Sequence, residues 1–209
     1  MEESKSNIQD TSSPLRGDKR GALEIKAKLI EKIEGTFDNV STKDQDGNRL
    51  DFHVDTKIIP QILTFLKVNM GYIHLSHISC VDWLEDGEFE IVYIVWSPTE
   101  KLKVFVKTRI NREKPVLPNI DMIWRQANTY GRELREMFGI EVEGLEGAEE
   151  FLLEDWDGMP PMRRDFNTEE YAEKTFWSRD GREDAVDVRE EIIKRSREEI
   201  PDFAKKYSR

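Results

Sequence analysis

Glu88-Phe89-Glu90-Ile91-Val92-Tyr93-Ile94-Val95-Trp96, a break at Ser97-Pro98-Thr99, then Lys101-Leu102-Lys103-Val104-Phe105-Val106-Lys107-Thr108-Arg109-Ile110 is the stretch that decides the fold class. Both runs are rich in β-branched and aromatic residues. The second alternates with period two, setting Leu102, Val104 and Val106 on one face and Lys101, Lys103, Phe105 and Lys107 on the other. That pattern predicts a sheet covered on one side only, with helices on the apolar face. A third run, 72–83, precedes them across Asp86-Gly87, so the three read as neighbours in an antiparallel meander.

Upstream, Asp46-Gly47-Asn48 is a turn signal, and Leu50, Phe52 and Val54 alternate with Asp51, His53 and Asp55. A hairpin is predicted there, with a short strand over 37–42 as the first arm. Three helices complete the domain. Leu23, Ile25, Leu29, Ile30 and Ile33 recur at helical spacing over 21–35, between two glycines. Residues 57–68 give a second helix with Pro60 in its opening turn and its end near Asn69 or Gly71. After Pro115 and Pro118, Asn119 or Asp121 can cap a third helix whose stripe is Ile123, Ala127, Tyr130 or Gly131, Leu134 and Met137 or Phe138, stopped by Gly139. On it Arg132 and Glu136 stand at i and i+4, able to pair or to reach outward together. The class is α/β: a mainly antiparallel sheet with helices on one face, plus an extended C-terminal strap and a charged helix.

The organisation predicted is a flexible N-terminal arm at 1–20, an α/β domain at 21–145 and an extended docking tail at 146–209. The arm has no periodicity, and its four acidic and four basic residues cancel. Residues 169–209 hold 12 acidic and 10 basic residues with only isolated apolar pairs, Phe176-Trp177 and Ile192-Ile193, too little to bury a core. A charged helix is expected at about 187–199, lying on another subunit.

Charged residues make up 36% of the 209, and the net charge is −11. An acidic chain without a basic stripe disfavours nucleic acid and direct adhesion to anionic lipid. No stretch approaches eighteen apolar residues, so membrane contact is expected only through partners. A single cysteine, Cys80, allows no internal disulfide and no cysteine cluster for zinc or iron-sulfur, which suits a cytoplasmic setting. Abundant Glu, Lys and Arg with four Gln matches a thermophile composition.

No catalytic constellation stands out. His74 and His77, three apart in a strand, are expected on opposite faces; His53 is far from both in sequence. Cys80 reads as a buried small hydrophobe, and the acidic pairs (Glu149-Glu150, Glu154-Asp155, Glu169-Glu170) as solvated faces. There is no dinucleotide fingerprint, P-loop or nucleophile elbow. What does stand out is Arg132, Glu133 and Glu136 on the third helix and the cluster Arg163-Arg164-Asp165, flanked by Tyr130, Phe138, Trp156, Phe166 and Pro160-Pro161. Charges beside aromatics suit either a surface salt-bridge network or the anchors of a protein interface.

Those residues carry a resemblance. Its parts occur in chain order: Ser79-Cys80-Val81-Asp82-Trp83, Phe89-Glu90-Ile91-Val92-Tyr93, the Pro115/Pro118 pair before Trp124 and Ala127, Arg132-Glu133 through Glu136, Phe138-Gly139, Asp155-Trp156, Gly158, Pro160 or Pro161 and Arg163-Arg164-Asp165-Phe166. Together they resemble the C subunit of the proton-pumping NADH:quinone oxidoreductases (respiratory complex I) and its counterparts in membrane-bound hydrogenase and sulfane-sulfur reductase complexes. The resemblance covers roughly 50–166. It implies a peripheral-arm subunit without catalytic or cofactor residues of its own, on the cytoplasmic face of the cell membrane. It would brace a large catalytic subunit and a small iron-sulfur subunit, where the iron-sulfur clusters and any metal site reside. The implied interface comprises Tyr130, Arg132, Glu133, Glu136, Phe138, Trp156, Pro160, Arg163, Arg164, Asp165, Phe166, Phe176 and Trp177. Three departures favour the hydrogenase-like or sulfur-reductase-like branch. Gly131 stands where most complex I members carry an acid, Glu136 replaces the usual Asp, and Leu145-Glu146-Gly147-Ala148-Glu149-Glu150 replaces a His-Pro followed by arginines. Two other readings stay open: a stand-alone soluble enzyme with a cleft near Asp82, His53 and His77, or a free regulatory adaptor.

Overall fold

The computed structural model describes residues 19–45, 47–147 and 150–176. Trp177 and the charged helix expected at 187–199 lie outside the described residues. The chain divides into two units, 1–166 and 167–209. In the first, α1 (Lys19–Glu34) is followed by the hairpin β1 (Ser41–Gln45) and β2 (Arg49–His53). A single 3-10 turn, Thr56–Ile58, leads into α2 (Ile59–Met70). The meander is β3 (His74–Trp83), β4 (Glu88–Ser97) and β5 (Leu102–Asn111); β6 (Val116–Leu117), α3 (Ala127–Phe138) and β7 (Glu141–Val142) close the unit.

The five-stranded sheet has the order β1-β2-β5-β4-β3. All its pairings are antiparallel except β2 with β5, which run parallel with Leu50 opposite Val104 and Phe52 opposite Val106. The mainly antiparallel class therefore holds, with one parallel seam where the hairpin docks on the meander. Leu50, Phe52, Ile91, Tyr93, Val104 and Val106 point into one core with Ile33, Leu66 and Leu134 of the three helices. The period-two alternation of the sequence is thus a covered face. On the opposite face Asp51, fully buried, is held by Arg49 (2.7 Å) and Lys107 (2.8 Å). Lys107 and Arg109 reach Glu90, and Arg109 also reaches Glu88 and Asp86. Arg49 lies 3.9 Å above the Phe105 ring. Burial tends to raise the Asp51 carboxyl, but Arg49 and Lys107 outweigh it and hold it below the usual carboxylate range.

Local chemistry explains the element ends. Pro60 sits at the start of α2, where its missing N–H costs nothing, and Gly71 and Gly139, both at φ 74°, end α2 and α3 in the left-handed conformation. Three expectations are corrected. The first strand runs Ser41–Gln45 and not over 37–42, because Phe37 packs edge-on against Phe65 of α2 at 5.6 Å. α3 begins at Ala127, with neither Asn119 nor Asp121 as its cap; Asn119 instead accepts from the Asp121 N–H, and Ile123 and Trp124 turn back on the Ile120 carbonyl. Finally, a bulge between Leu75 and His77 sets His74 opposite Trp96 and His77 opposite Ile94, two residues apart on β4. His74 and His77 therefore share a face.

β3 is an edge strand, and α3 with the turn before it caps part of it: Trp124 Nε1 donates to the Ile73 carbonyl (2.8 Å), Gln126 Nε2 to that of Leu75, and Tyr130 Oη to that of Ser76 (3.1 Å). Side chains thus occupy acceptors an edge would otherwise offer to another chain. In the second unit α4 (Thr168–Phe176) is capped by Asn167, whose Oδ1 accepts from Glu169 and Glu170, and carries a Glu170–Lys174 pair.

Candidate functional site

The residues that composition and motif single out converge where β3, β5 and α3 meet residues 150–166. Arg112, just past β5, is the hub. Its guanidinium grips Asp82 of β3 through Nε (2.9 Å) and Nη2 (3.2 Å) and reaches Asp165 at 2.5 Å. The Asp82 side chain is 2% exposed, and its Oδ2 also accepts the Arg164 backbone N–H at 2.9 Å. Arg164 Nη1 binds Glu85 (2.8 Å), and Arg163 Nε donates to the Phe138 carbonyl (2.8 Å) at the end of α3. The Arg112 and Arg163 cations stand 5.6 and 5.5 Å from the ring of buried Phe89, whose edge partner is Phe138 at 6.0 Å. Arg112 holds the Asp165 carboxyl below its ordinary range, chiefly by hydrogen bonding.

A second fastening lies one element away. Arg132 and Glu136 do not pair with each other; both reach outward. Arg132 Nη2 donates to the Glu150 carbonyl (3.0 Å) and the guanidinium covers Phe151 at 4.7 Å. Glu136 accepts the backbone N–H groups of Phe151 (2.9 Å) and Leu152 (2.8 Å), as a carboxylate does at a helix start. Burial raises the Glu136 carboxyl, yet these N–H donors prevail and lower it overall.

Glycine makes room for the contact. A Cβ on Gly139 would sit 3.1 Å from both Arg163 Nη2 and Pro160 Cγ. Met162 N–H adds a bond to the Met137 carbonyl (3.0 Å), and Trp156 folds onto Phe166 (5.8 Å between rings) with its indole N–H shared by Gly158 and Met159 carbonyls. The compact unit thus continues past 145 and ends after Phe166.

The other sequence-named residues are placed as follows. Tyr130 packs edge-on against His77 (5.1 Å) besides binding Ser76, and Phe138 is buried, so both serve the unit's own packing. Glu133 stands half-buried on α3. Phe176 ends α4 in the second unit. The cleft suggested by Asp82, His53 and His77 does not form: His53 on β2 and His77 on β3 are separated by β5 and β4, roughly 14 Å of sheet, and Asp82 is engaged by Arg112. Among the described residues no group of three His, Cys, Asp or Glu is disposed to hold a metal ion. Burial, with Asp82 nearby, pushes the Cys80 thiol up to about 12, the opposite of a nucleophile. A groove of about 480 Å³ lies elsewhere, lined by Phe37, Pro60, Gln61, Thr64, Phe65 and Asn69, none of them an acid or base.

Sequence reasoning missed Arg112 and the role of Asp82. Arg112 stands in a polar turn that looks solvated, and its partners are 30 and 53 residues away, beyond any periodicity.

The charged motif of this α/β domain is consumed in fastening residues 150–166 to it. The chain belongs to the respiratory-chain NADH dehydrogenase 30 Kd subunit family, whose profile matches residues 52–172. It is 29% identical over 140 residues to the NADH-quinone oxidoreductase C/D 2 subunit of Aquifex aeolicus, covering 66% of this chain but only 23% of that relative's length. It is 26% identical over 141 residues to the F(420)H(2) dehydrogenase C subunit of Methanosarcina mazei, covering 66% of this chain and 89% of that one. Among solved structures, a chain of the membrane-bound sulfane sulfur reductase, an archaeal respiratory membrane complex, superposes with a TM-score of 0.67 at 28% identity, over 72% of this chain and 91% of that one. A trypsin-resistant fragment of Nqo5 matches with a TM-score of 0.50 at 25% identity, over 59% and 96%. The chain is therefore a C subunit of the complex I-like type. No helix among the described residues is long and apolar enough to cross a membrane.

Proposed function

We propose that this chain is a cofactor-free accessory subunit, peripheral on the cytoplasmic face, of a membrane-bound redox complex that translocates ions. It braces the large catalytic subunit and the small iron-sulfur subunit, and those partners hold the iron-sulfur clusters and any metal site. The observation that carries this is the fate of the charged motif. Arg112, Arg163, Asp82, Asp165 and Glu136 bind one another and the backbone, building a surface where an enzyme would leave an acid or base free to act. Within the family we place it nearer the hydrogenase-like or sulfur-reductase-like branch. Support comes from the superposition on the sulfane sulfur reductase chain over 72% of this chain and 91% of that one, and from Gly131 packing against Leu145, 3.1 Å from a built Cβ, where an acid would be expected.

The test is affinity purification of the tagged full chain from detergent-solubilised membranes, with metal and flavin analysis of the same chain expressed alone. Stoichiometric recovery with an iron-sulfur protein, and no metal or flavin in the lone chain, is the expected result. Stoichiometric metal in the lone chain, or a tagged chain that in its native cells stays in the soluble fraction without stoichiometric partners, refutes the assignment.

A further inference from the structure

We propose that residues 150–166 form an interaction surface that is already built on the free chain, and that its acidic, Leu- and Met-studded face fits a basic-rimmed apolar groove of a partner protein. This rests on the accessory-subunit reading and specifies how that subunit engages its neighbour.

Three observations combine. The first is fastening: seven backbone N–H groups of this segment have named acceptors. Phe151 and Leu152 donate to Glu136, Asp155 to Glu150, Met162 to the Met137 carbonyl, Arg163 to that of Pro160, Arg164 to Asp82, and Phe166 to the Arg163 carbonyl. A segment so anchored does not need a partner to order it, and the ordering entropy that a disordered strap loses on binding is absent.

The second is what the anchored backbone displays. Leu152 is 60%, Met159 45% and Met162 56% exposed, each within three residues of a fastened N–H, so large apolar side chains are held out on a fixed frame. Methionine pairs such as these adapt to irregular apolar grooves. None of the three is needed by the unit's own core.

The third is charge. From Glu141 to Asp157 the sequence holds eight acidic residues and no Lys or Arg. The side chains of Glu143, Glu146 and Glu154 make no hydrogen bond or ion pair among the described residues, and all three are exposed. The stretch that carries Leu152 is thus of one sign, and the two arginines that follow Met162 are already engaged, Arg163 by the Phe138 carbonyl and Arg164 by Glu85. A groove lined with aliphatic side chains and edged with Lys or Arg complements it; an acidic partner is repelled.

The experiment has two arms on the full chain. Free in solution, hydrogen exchange at the Phe151, Leu152, Met162 and Arg164 amides is expected to be about a hundredfold slower than for an unstructured chain. The Arg112→Leu chain, still folded by circular dichroism, is expected to lose that protection at Met162 and Arg164. In the complex purified from membranes, peroxide oxidation of Met159 and Met162 is expected to fall at least about tenfold relative to the free chain. The triple variant Glu143→Lys, Glu146→Lys, Glu154→Lys, whose side chains hold nothing in the fold, is expected to dissociate from the complex at lower salt. Amides that exchange freely in the lone wild-type chain overturn the preformed surface. Methionines that stay reactive in a complex containing the chain stoichiometrically, or a triple variant that associates as wild type does, overturn the docking face while leaving the accessory-subunit reading intact. A chain with no stoichiometric partner overturns both.

Discussion

Replacing Arg112 by Leu should be the most damaging single polar substitution in this protein. Its guanidinium is 14% exposed and supplies two of the bonds to Asp82, whose side chain is 2% exposed. Removing one member of a buried pair strands the other charge, at about 3–5 kcal/mol. Asp82 keeps the Arg164 N–H, which favours the lower end, about 3 kcal/mol. Asp165, on the solvent side, adds less than about 1 kcal/mol, and the lost cation over Phe89 about 0.5 kcal/mol. A total near 3–4 kcal/mol corresponds to a melting temperature about 10 °C lower for a chain of this size. Thermal and urea unfolding of the full chain, followed by circular dichroism, measures it.

The informative partner is the double variant Arg112→Leu with Asp82→Asn. The amide oxygen it introduces can still accept the Arg164 N–H, and no charge is left stranded, so the double variant should be more stable than Arg112→Leu alone. If Arg112→Leu costs less than about 1 kcal/mol, or if the double variant is worse than the sum of the singles, the hub has been misread.

Two further perturbations separate the fastenings. Gly71→Ala and Gly139→Ala both force a side chain into φ 74°, a cost of about 1–2 kcal/mol each, but only Gly139 faces Arg163 and Pro160 at 3.1 Å; nothing lies within 4 Å of Gly71. Gly139→Ala should therefore cost measurably more in urea unfolding and should loosen 160–164 to exchange, whereas equal costs would argue that the segment does not press on the end of α3. Acidification should release the segment before the sheet unfolds. Glu136 and Asp165 both have folded carboxyl groups depressed below their ordinary range, so their contribution is complete above about pH 5 and is lost as the pH falls through the lowered folded values. Amide exchange at Phe151 and Leu152 should accelerate below that point in the wild type, and Glu136→Gln should remove that step; an unchanged profile in the variant would count against the assigned carboxylate.

The sheet was legible because its signals are local. The alternation over 102–110 and the turns at Asp86-Gly87 and Ser97-Pro98-Thr99 specify neighbours in sequence, and the observed register follows with Glu88 opposite Asn111 and Ser97 opposite Leu102. Helix ends were legible for the same reason, since a glycine at the left-handed position is a single-residue signal. What failed were features set by distant partners. Trp124 and Gln126 hold carbonyls of β3, so the chain from Ile120 turns to reach that edge before α3 can begin at Ala127. The bulge that puts His74 and His77 on one face leaves no compositional mark. The parallel seam between β2 and β5 joins strands with two others between them in sequence, and Arg112 meets Asp82 and Asp165 only because the fold brings their termini together.

The departure at Gly131 and the one at Leu145 are a single packing event, and a substitution can show it. A glycine inside a helix costs about 1 kcal/mol relative to alanine, so Gly131→Ala in the middle of α3 should on propensity alone stabilise by that much. The built Cβ, however, would sit 3.1 Å from Leu145 Cδ1 and 3.5 Å from Val142 Cγ2, closer than carbon atoms normally approach in the first case. Leu145 and Val142 belong to the chain that leaves α3 through β7 and opens the acidic ribbon, and pushing them back loosens the packing that replaced the expected acid. The gain and the strain are of similar size, so Gly131→Ala alone should change stability by less than about 0.5 kcal/mol, while in a Leu145→Ala background the same substitution should recover close to the full 1 kcal/mol. Urea unfolding of the four chains of this cycle measures the coupling; a full stabilising effect of Gly131→Ala with Leu145 present would mean that the two residues do not meet, and that the missing acid and the inserted leucine are independent accidents of sequence.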